Sequence, residues 1–430
     1  MKHFNRARLM ASSVLASGFF VITGPVLAQD APAEQETIVV TGTRIKQPEL
    51  EFSNPILAIG ETALRESGKT NVATILQDFP ALVASEGPND NAGSNSEIGT
   101  TGLNLLDLRN LGVDRTLVLV NGRRHVAALP GSAAVDTNTI PVDLLSDVQI
   151  LTGGASAIYG ADGVSGVVNF ITKTNFEGLR MRLQGGMPEA SGGGKEGLFS
   201  ITAGKNFAED KGNIAFSFEG TTETRLKASD RPVRQGFYRN PNDPFDDPSI
   251  PDYIPQRDIR YYESSPLGAV YTDVDDYDAL FGAPTTLAAN FNGDGAVWNP
   301  GVIPFIAPFY AQGGSATPVE GYGGDLTPQT TRYNFNVLGH YDFTENVRLF
   351  TELKFVRTLS RTLSQPTFDY YLAVQEDNPF MPASIRDAIT TSGIGVADFG
   401  LATGFVSRDN FDLGRRGEDI RRDTYRAVVG

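Results

Sequence analysis

The sequence predicts a small mixed α/β domain followed by antiparallel transmembrane β-barrel strands. Three observations carry this: an export leader with no later stretch apolar enough to cross a bilayer as a helix, an Asn-Gly hairpin beside a short helix within residues 49–175, and alternating strands joined by connections of unequal length over 176–430.

The leader comes first. Lys2, Arg6 and Arg8 precede an apolar run over residues 9–26, which closes on Val26-Leu27-Ala28 ahead of polar Gln29-Asp30. A basic end, an apolar middle and a small-residue exit read as a signal peptide over 1–28, cleaved after Ala28. Ser12, Ser13, Ser17, Thr23, Gly24 and Pro25 interrupt the run and no basic cluster follows it, which argues against a membrane anchor. No later segment approaches the ~20 apolar residues of a spanning helix, so any embedding must use strands. An exported soluble protein and a barrel both remain open at this point.

Composition narrows the chemistry. With 51 acidic against 36 basic residues the net charge is −15, a poor match for nucleic acid, whose affinity comes from cations placed on phosphates. There is no cysteine, which excludes disulfides, thiolate zinc sites, iron–sulfur clusters and cysteine nucleophiles. Histidine occurs only at His3, His125 and His340, so a multi-histidine metal site is excluded and His125, beside Arg123 and Arg124, reads as a surface or hydrogen-bonded residue. No cofactor is expected.

Residues 29–48 hold an acidic, Ala-rich spacer and then Glu36-Thr37-Ile38-Val39-Val40-Thr41-Gly42-Thr43-Arg44-Ile45. Buried, this β-branched segment is an ordinary strand; exposed beside a mobile terminus, it invites strand addition to a partner's sheet. The residues alone leave both open.

Within 49–175, Val72, Ile75, Leu76 and Phe79 have helical spacing, with Thr70 or Asn71 as cap and Pro80 as stop. Residues 85–101 are nearly all Gly, Asn, Ser, Asp, Glu and Thr and read as a solvated loop, with or without a role in ligand contact. Alternation resumes at Leu103, Leu105 and Leu108. The run Arg115-Thr116-Leu117-Val118-Leu119-Val120 then meets Asn121-Gly122 and Arg123-Arg124-His125-Val126, a type I′ hairpin signal because both turn residues tolerate positive φ. Residues 141–145 open a helical turn, 147–151 read as a strand, and 167–173 as another.

These residues also carry a resemblance. Leu108-Arg109-Asn110-Leu111-Gly112, then residues 115–122, then Ile140-Pro141, then the long block from Ala155-Ser156-Ala157-Ile158-Tyr159-Gly160 through Gly163, Gly166, Val167-Val168-Asn169 to Lys173 resemble the plug signature of TonB-dependent outer-membrane receptors. The resemblance implies a plug domain over 49–175 and a TonB box at Thr37, Ile38, Val39, Val40 and Thr41, which decides the open reading of that segment. It makes Arg109, Gly112, Asn121, Gly122, Gly160, Gly163, Gly166 and Asn169 structural motif positions. Gly153, Gly154, Gly160, Gly163 and Gly166 permit tight turns and close backbone approach rather than catalysis. The sequence departs from the family where it has Gln149, Thr152 and Gly153-Gly154 in place of an acidic residue, a basic residue and Gly-Pro. If those charges latch plug to wall in relatives, this chain needs a different latch.

From 176 onward, Leu179-Arg180-Met181-Arg182-Leu183-Gln184 has one apolar and one polar face; Ile214, Phe216 and Phe218 alternate with Ala215, Ser217 and Glu219; Val347, Leu349, Leu353 and Phe355 oppose Arg348, Glu352 and Lys354. Phe199-Ile201-Ala203 and Tyr333-Phe335-Val337 fit less cleanly. A barrel strand of ~10 residues has this period, and so does a soluble sandwich. Loop asymmetry favours the barrel: connections are short near 188–194, 208–212 and 344–346, and long between Thr222 and Thr331 and from Ser360 to Glu418. The first long stretch mixes Asp243, Asp246, Asp247, Asp252, Asp258, Glu263, Asp273, Asp275, Asp276 and Asp278 with Tyr253, Tyr261, Tyr262, Tyr271 and Tyr277, suited to calcium, cations or planar ligands, though a solvated loop is the simpler reading. Residues 290–295 imitate a calcium loop but begin on Asn290 and have Gly301 where the closing Glu belongs, so they read as a turn. A plugged transporter has about 22 strands and only about six are recognisable here, the last at 424–429; with no aromatic at Gly430, a fragment with an incomplete barrel is expected.

The resemblance implies active uptake across a Gram-negative outer membrane, energised by TonB and its inner-membrane complex, with outer-membrane lipid around the wall and an unidentified small or oligomeric ligand bound among loops and plug apices. It requires no catalytic residue. The rivals are an exported β-rich hydrolase, for which no Gly-x-Ser-x-Gly elbow exists, and a TonB-dependent signal transducer, for which residues 29–36 leave no room for a signalling domain.

Overall fold

The computed structural model describes residues 56–430 except 154–158, 190–191, 232–235, 241–246, 262–263, 272–286, 291–298, 300, 303–309, 321 and 394–395. Contacts divide the chain at Val39/Val40, and every described residue belongs to the second unit. The leader, the 29–48 segment and the calcium-like residues 291–295 lie outside the described residues.

The first body is a five-stranded mixed sheet. Its strands are β1 (Ile56–Gly60), β2 (Thr116–Val120), β3 (Arg123–Arg124), β4 (Leu145–Leu151) and β5 (Gly166–Thr172), in the order β1-β4-β5-β2-β3. Only β2 and β5 pair in parallel. That placement explains the unbroken apolar run of β2: all five residues are buried, Val118 and Val120 in the main core with Val168 and Phe170, Leu117 and Leu119 on the opposite face with Val167. Helices α1 (Glu61–Glu66) and α2 (Val72–Leu76) cover the main core with Leu64, Ile75 and Leu76. The Asn71 side chain accepts from Ala73 N at 2.8 Å and caps α2, as its position before the apolar spacing predicts. Asn121 and Gly122 take φ of 52° and 72°, the left-handed pair of the expected hairpin turn.

Two readings need correction here. Residues 103–108 form no strand beyond the Glu86–Leu105 bridge; Leu103, Leu105, Leu106 and Leu108 are simply all buried. Residues 85–101 are also more than a solvated loop, since Asn91, Ala92 and Gly93 are buried and the segment is fastened to neighbouring chain at several points. Composition hid this because short polar residues can be buried when each is hydrogen-bonded.

The second body is a six-stranded antiparallel meander: β6 (Gly178–Gly186), β7 (Glu196–Phe207), β8 (Gly212–Glu223), β9 (Gln329–Thr344), β10 (Val347–Pro366) and β11 (Arg415–Val429), each paired with the next. Strands β10 and β11 extend past the expected limits, which shortens the second long connection to 367–414. Register places Met181, Ile201, Phe218, Phe335, Phe355 and Tyr425 in one continuous row across all six strands. The adjacent row on the opposite face is Arg182, Ser200, Glu219, Asn334, Val356 and Thr424. The apolar face is the exposed one, with Leu183 at 85% and Tyr425 at 68%, while Ser200, Glu219 and Asn334 are buried. A soluble sandwich buries its apolar face; this sheet reverses the polarity, as a barrel wall does. The strands that fitted less cleanly obey the rule: Phe199, Tyr333 and Phe335 point outward, with Thr202, Arg332 and Asn336 inward.

The two long connections fold together, so the solvated-loop reading of 224–328 fails for its described parts. Ala269–Tyr271 pairs with Thr403–Asp409, and the helix Ala383–Ser392 packs Ile385 and Ile389 on Val270 and Val406. At their junction Asp409 is fully buried and accepts from Ser264 Oγ, Thr317 Oγ1 and Tyr322 OH, the last at 3.1 Å.

Candidate functional site

The first body is seated on the polar face of the six-stranded sheet. Four groups of contacts fasten it, and all use residue types that the sequence places on the inward side of alternating strands.

Asp143, at the turn leading into β4, binds Arg182 of β6 at 2.8 Å and accepts from Ser200 of β7. Arg332 of β9 donates to Asn138 Oδ1 at 2.6 Å and to the Thr70 carbonyl at 2.9 Å, while the next inward residue, Asn334, donates to the Asn138 carbonyl at 3.0 Å. Glu352 of β10 receives Asn121 Nδ2 at 2.8 Å and Arg123 at 3.1 Å from the hairpin, and Arg426 of β11 at 2.7 Å. Finally, Glu418 and Arg422 of β11 grip Gly99 and Thr101, with Thr101 Oγ1 donating to Glu418 at 2.5 Å and Arg422 to the Thr101 carbonyl at 2.8 Å. Deleting one partner of such a buried pair while the other stays buried strands a charge, which is costlier than the pair's net worth suggests.

Glu61 of α1 adds a fifth contact, binding Lys173 at 3.0 Å and Arg180 of β6. Burial alone raises the Glu61 carboxyl, but Lys173 and then Arg180 more than offset it and hold the group below its ordinary value of 4.5. The buried Gln149, standing where relatives are expected to carry an acidic residue, donates to Asp147 at 3.2 Å. The latch is therefore distributed over Glu61, Asp143, Arg332, Glu352, Glu418 and Arg422, none of which the sequence marks for this role. Their signal was present: each wall residue among them is a charged group on the inward side of a strand whose other side is apolar.

The motif residues fall at turns and close approaches. Arg109 lies in the left-handed region with φ 62° and donates to the Thr152 carbonyl at 3.1 Å. The Gly112 N–H reaches Asp107 at 3.0 Å, and the Gly122 N–H reaches buried Asn169 at 2.9 Å. Gly160 has φ 85°, and Gly163 N–H closes the turn onto its carbonyl at 3.2 Å. Gly166 combines φ 143° with no room: a Cβ there would stand 2.2 Å from the Leu151 carbonyl oxygen and 2.3 Å from Leu108 Cδ2. His125 is half-buried, with Nε2 3.5 Å from Lys354 Nζ. The five residues Thr37, Ile38, Val39, Val40 and Thr41 lie outside the described residues, as does Gly154.

At the rim that bears the long connections, two recesses border the seated body. One, of 640 Å³, is lined by Glu86, Asp90, Asn91, Glu97, Thr100 and Asp114 among others. The other, of 250 Å³, lies between Thr74, Gln77 and Asp90, the wall residues Glu196 and Glu223, and Thr327 of the first long connection. Among the described residues no group of three His, Asp or Glu is arranged to hold a metal.

Comparison with known proteins follows the same division. The family described as TonB-dependent Receptor Plug Domain matches residues 48–167. Over 265 residues the chain is 26% identical to the vitamin B12 transporter BtuB of Vibrio vulnificus (strain CMCP6), covering 59% of this chain and 40% of that protein. Among solved structures, the ferric enterobactin receptor of Pseudomonas aeruginosa aligns over 73% of this chain and 42% of its own at 14% identity and TM-score 0.37. The siderophore receptor PirA of Acinetobacter baumannii aligns over 72% and 40% at 15% identity and TM-score 0.35. The chain thus spans about two-fifths of the length of these relatives.

Proposed function

We propose that this chain, which belongs to the TonB-dependent receptors, supplies the gate and the first wall strands of a Gram-negative outer-membrane transporter for a scarce or bulky nutrient. One arrangement supports the reading above all: a plug held against the polar face of a wall whose other face is apolar. Such a plug blocks passage until it is displaced, and contacts made by hydrogen bonds and ion pairs to a polar wall can be exchanged for water at modest cost.

In this reading Thr37, Ile38, Val39, Val40 and Thr41 form the TonB box and add a strand to periplasmic TonB, whose inner-membrane complex supplies the work of displacement. Ligand enters from the long-loop rim, where the plug recesses and the folded insertions meet. The relatives named above are receptors and transporters for vitamin B12 and siderophores, and the substrate proposed here is of that general kind: too large or too dilute for passive entry.

The reading is tested by fractionating the receptor from its native host. Recovery with outer membranes and migration that shifts on heating support a barrel; recovery as a soluble monomer overturns it.

A further inference from the structure

We propose that the outward face of β10 and β11 binds the phosphate groups of an outer-leaflet glycolipid. The inference rests on the transporter reading, because it requires the apolar face of the sheet to lie in a bilayer.

The observation is a break in the apolar band. One row above the Met181-to-Tyr425 row, register aligns Leu183, Phe199, Gly220, Tyr333, Arg357 and Asp423. Four strands present apolar or aromatic groups, or none, at that level; the last two present an ion pair. Higher still, Arg361 of β10 faces Asp419 of β11, and Arg421 faces Leu359. Every outward-facing arginine within the paired register of these strands therefore falls on β10 and β11, at Arg357, Arg361 and Arg421.

Height decides what such groups can meet. The opposite rim is marked by an aromatic cluster: Phe207 stacks on Tyr341 at 6.1 Å, and Tyr341 meets Phe343 edge-on at 5.0 Å, as at a membrane interface. Leu349 pairs with Tyr341, and eight residues separate it from Arg357. At ~3.4 Å per residue and ~40° tilt this is about 21 Å along the bilayer normal, and Arg361 stands about 10 Å higher. The apolar band is about 25 Å tall, so the arginines straddle its upper edge, where a charged side chain on the lipid face costs little and head-group phosphates begin.

Asp423 prepares two of the three guanidiniums. It takes Arg357 through two bonds of 2.7 and 3.0 Å and Arg421 at 2.5 Å, fixing both heads side by side. Arg361 is exposed and makes no hydrogen bond or ion pair among the described residues. Three guanidiniums against Asp419 and Asp423 leave the patch cationic, and planar forked donors match phosphate oxygens. Leu359, exposed between Arg357 and Arg361, offers an apolar contact where an acyl chain would leave its head group.

The test uses the receptor with its whole barrel, purified in mild detergent after its heat-shifted migration has been verified, so that loss of the barrel reading is seen separately. Retained lipid is counted by native mass spectrometry after incubation with a bis-phosphorylated acylated glucosamine disaccharide, with the same lipid after removal of its phosphates, or with inorganic phosphate as competitor. The expected result is at least tenfold greater retention of the phosphorylated lipid, lost in Arg361→Gln/Arg421→Gln and kept in Lys205→Gln, an outward charge near the opposite rim. The double variant leaves the Arg357–Asp423 pair intact and is required to show the same heat shift. Equal retention by the double variant, equal retention of the phosphate-free lipid, full competition by equimolar inorganic phosphate, or equal loss in Lys205→Gln each overturns the proposal.

Discussion

Arg123 of the plug hairpin and Glu352 of the wall meet at 3.1 Å, and Glu352 holds Arg426 of the neighbouring strand at 2.7 Å on its other oxygen. One wall carboxylate thus joins the plug hairpin to two neighbouring wall strands. Removing it strands two guanidiniums, one of them, Arg426, almost fully buried. We expect Glu352→Ala to destabilise the seated plug by about 3 kcal/mol and Arg123→Ala by about 1 kcal/mol, since Arg123 is partly exposed. Denaturant titration of the receptor, followed by proteolytic release of the plug, measures both; equal costs would mean that Glu352 does not join the two.

Glu61 gives the plug a pH-dependent contact. Its folded pKa lies below the ordinary carboxylate value, so the contribution is present in full above that value and is lost as pH falls through the depressed one. The stability difference between the parent and Glu61→Gln should be constant from ~pH 7 to ~pH 5 and shrink below ~pH 4. Melting curves across that range test it, and a difference that instead grew on acidification would contradict the assignment.

Gly166 and Gly112 separate two reasons for a motif glycine. Both have positive φ, but a Cβ at Gly112 meets nothing within 4 Å whereas one at Gly166 collides with Leu151 and Leu108. Gly112→Ala should cost about 1–2 kcal/mol for the backbone alone, and Gly166→Ala clearly more, because overpacking adds about 1–3 kcal/mol. Comparable melting temperatures for the two variants would remove the packing argument.

In the proposed function Val39 and Val40 belong to the TonB box and couple the plug to TonB. Replacing both with proline removes the N–H donors that strand addition needs, so energised uptake should fall to background while ligand binding to the outer face is unchanged. Binding and uptake of the same radiolabelled ligand by cells resolve the two; unaltered uptake would exclude the segment.

Much of this was legible in the chain. The Asn71 cap, the Asn121-Gly122 turn and the β2 and β5 strands depend on local chemistry, and local chemistry is what a sequence displays. Periodicity placed Arg182, Glu219 and Glu352 on one face but not which face was inward, because a sandwich and a barrel wall share a period of two and differ only in what lies on either side. Strand β1 and helix α1 escaped notice because each is held by non-local partners: Ile59 pairs with Val148 and Glu61 with Lys173 and Arg180. The folding of 224–328 against 367–414 was equally hidden, since Asp409 finds Ser264, Thr317 and Tyr322 only across long sequence separations. The latch residues were visible as inward charges, yet their partners were not.

In the proposed function the plug sits against this wall and must leave it for transport. Ser94 of the plug loop and Ser364 of β10 bring their hydroxyl oxygens within 3.2 Å, and the chain has no cysteine to confuse the chemistry. In the Ser94→Cys/Ser364→Cys receptor, oxidation should form the cross-link, stop energised uptake while sparing ligand binding, and reduction should restore uptake. Failure of the pair to cross-link, or undiminished uptake once it has, would show that the plug is not seated here or need not leave the wall.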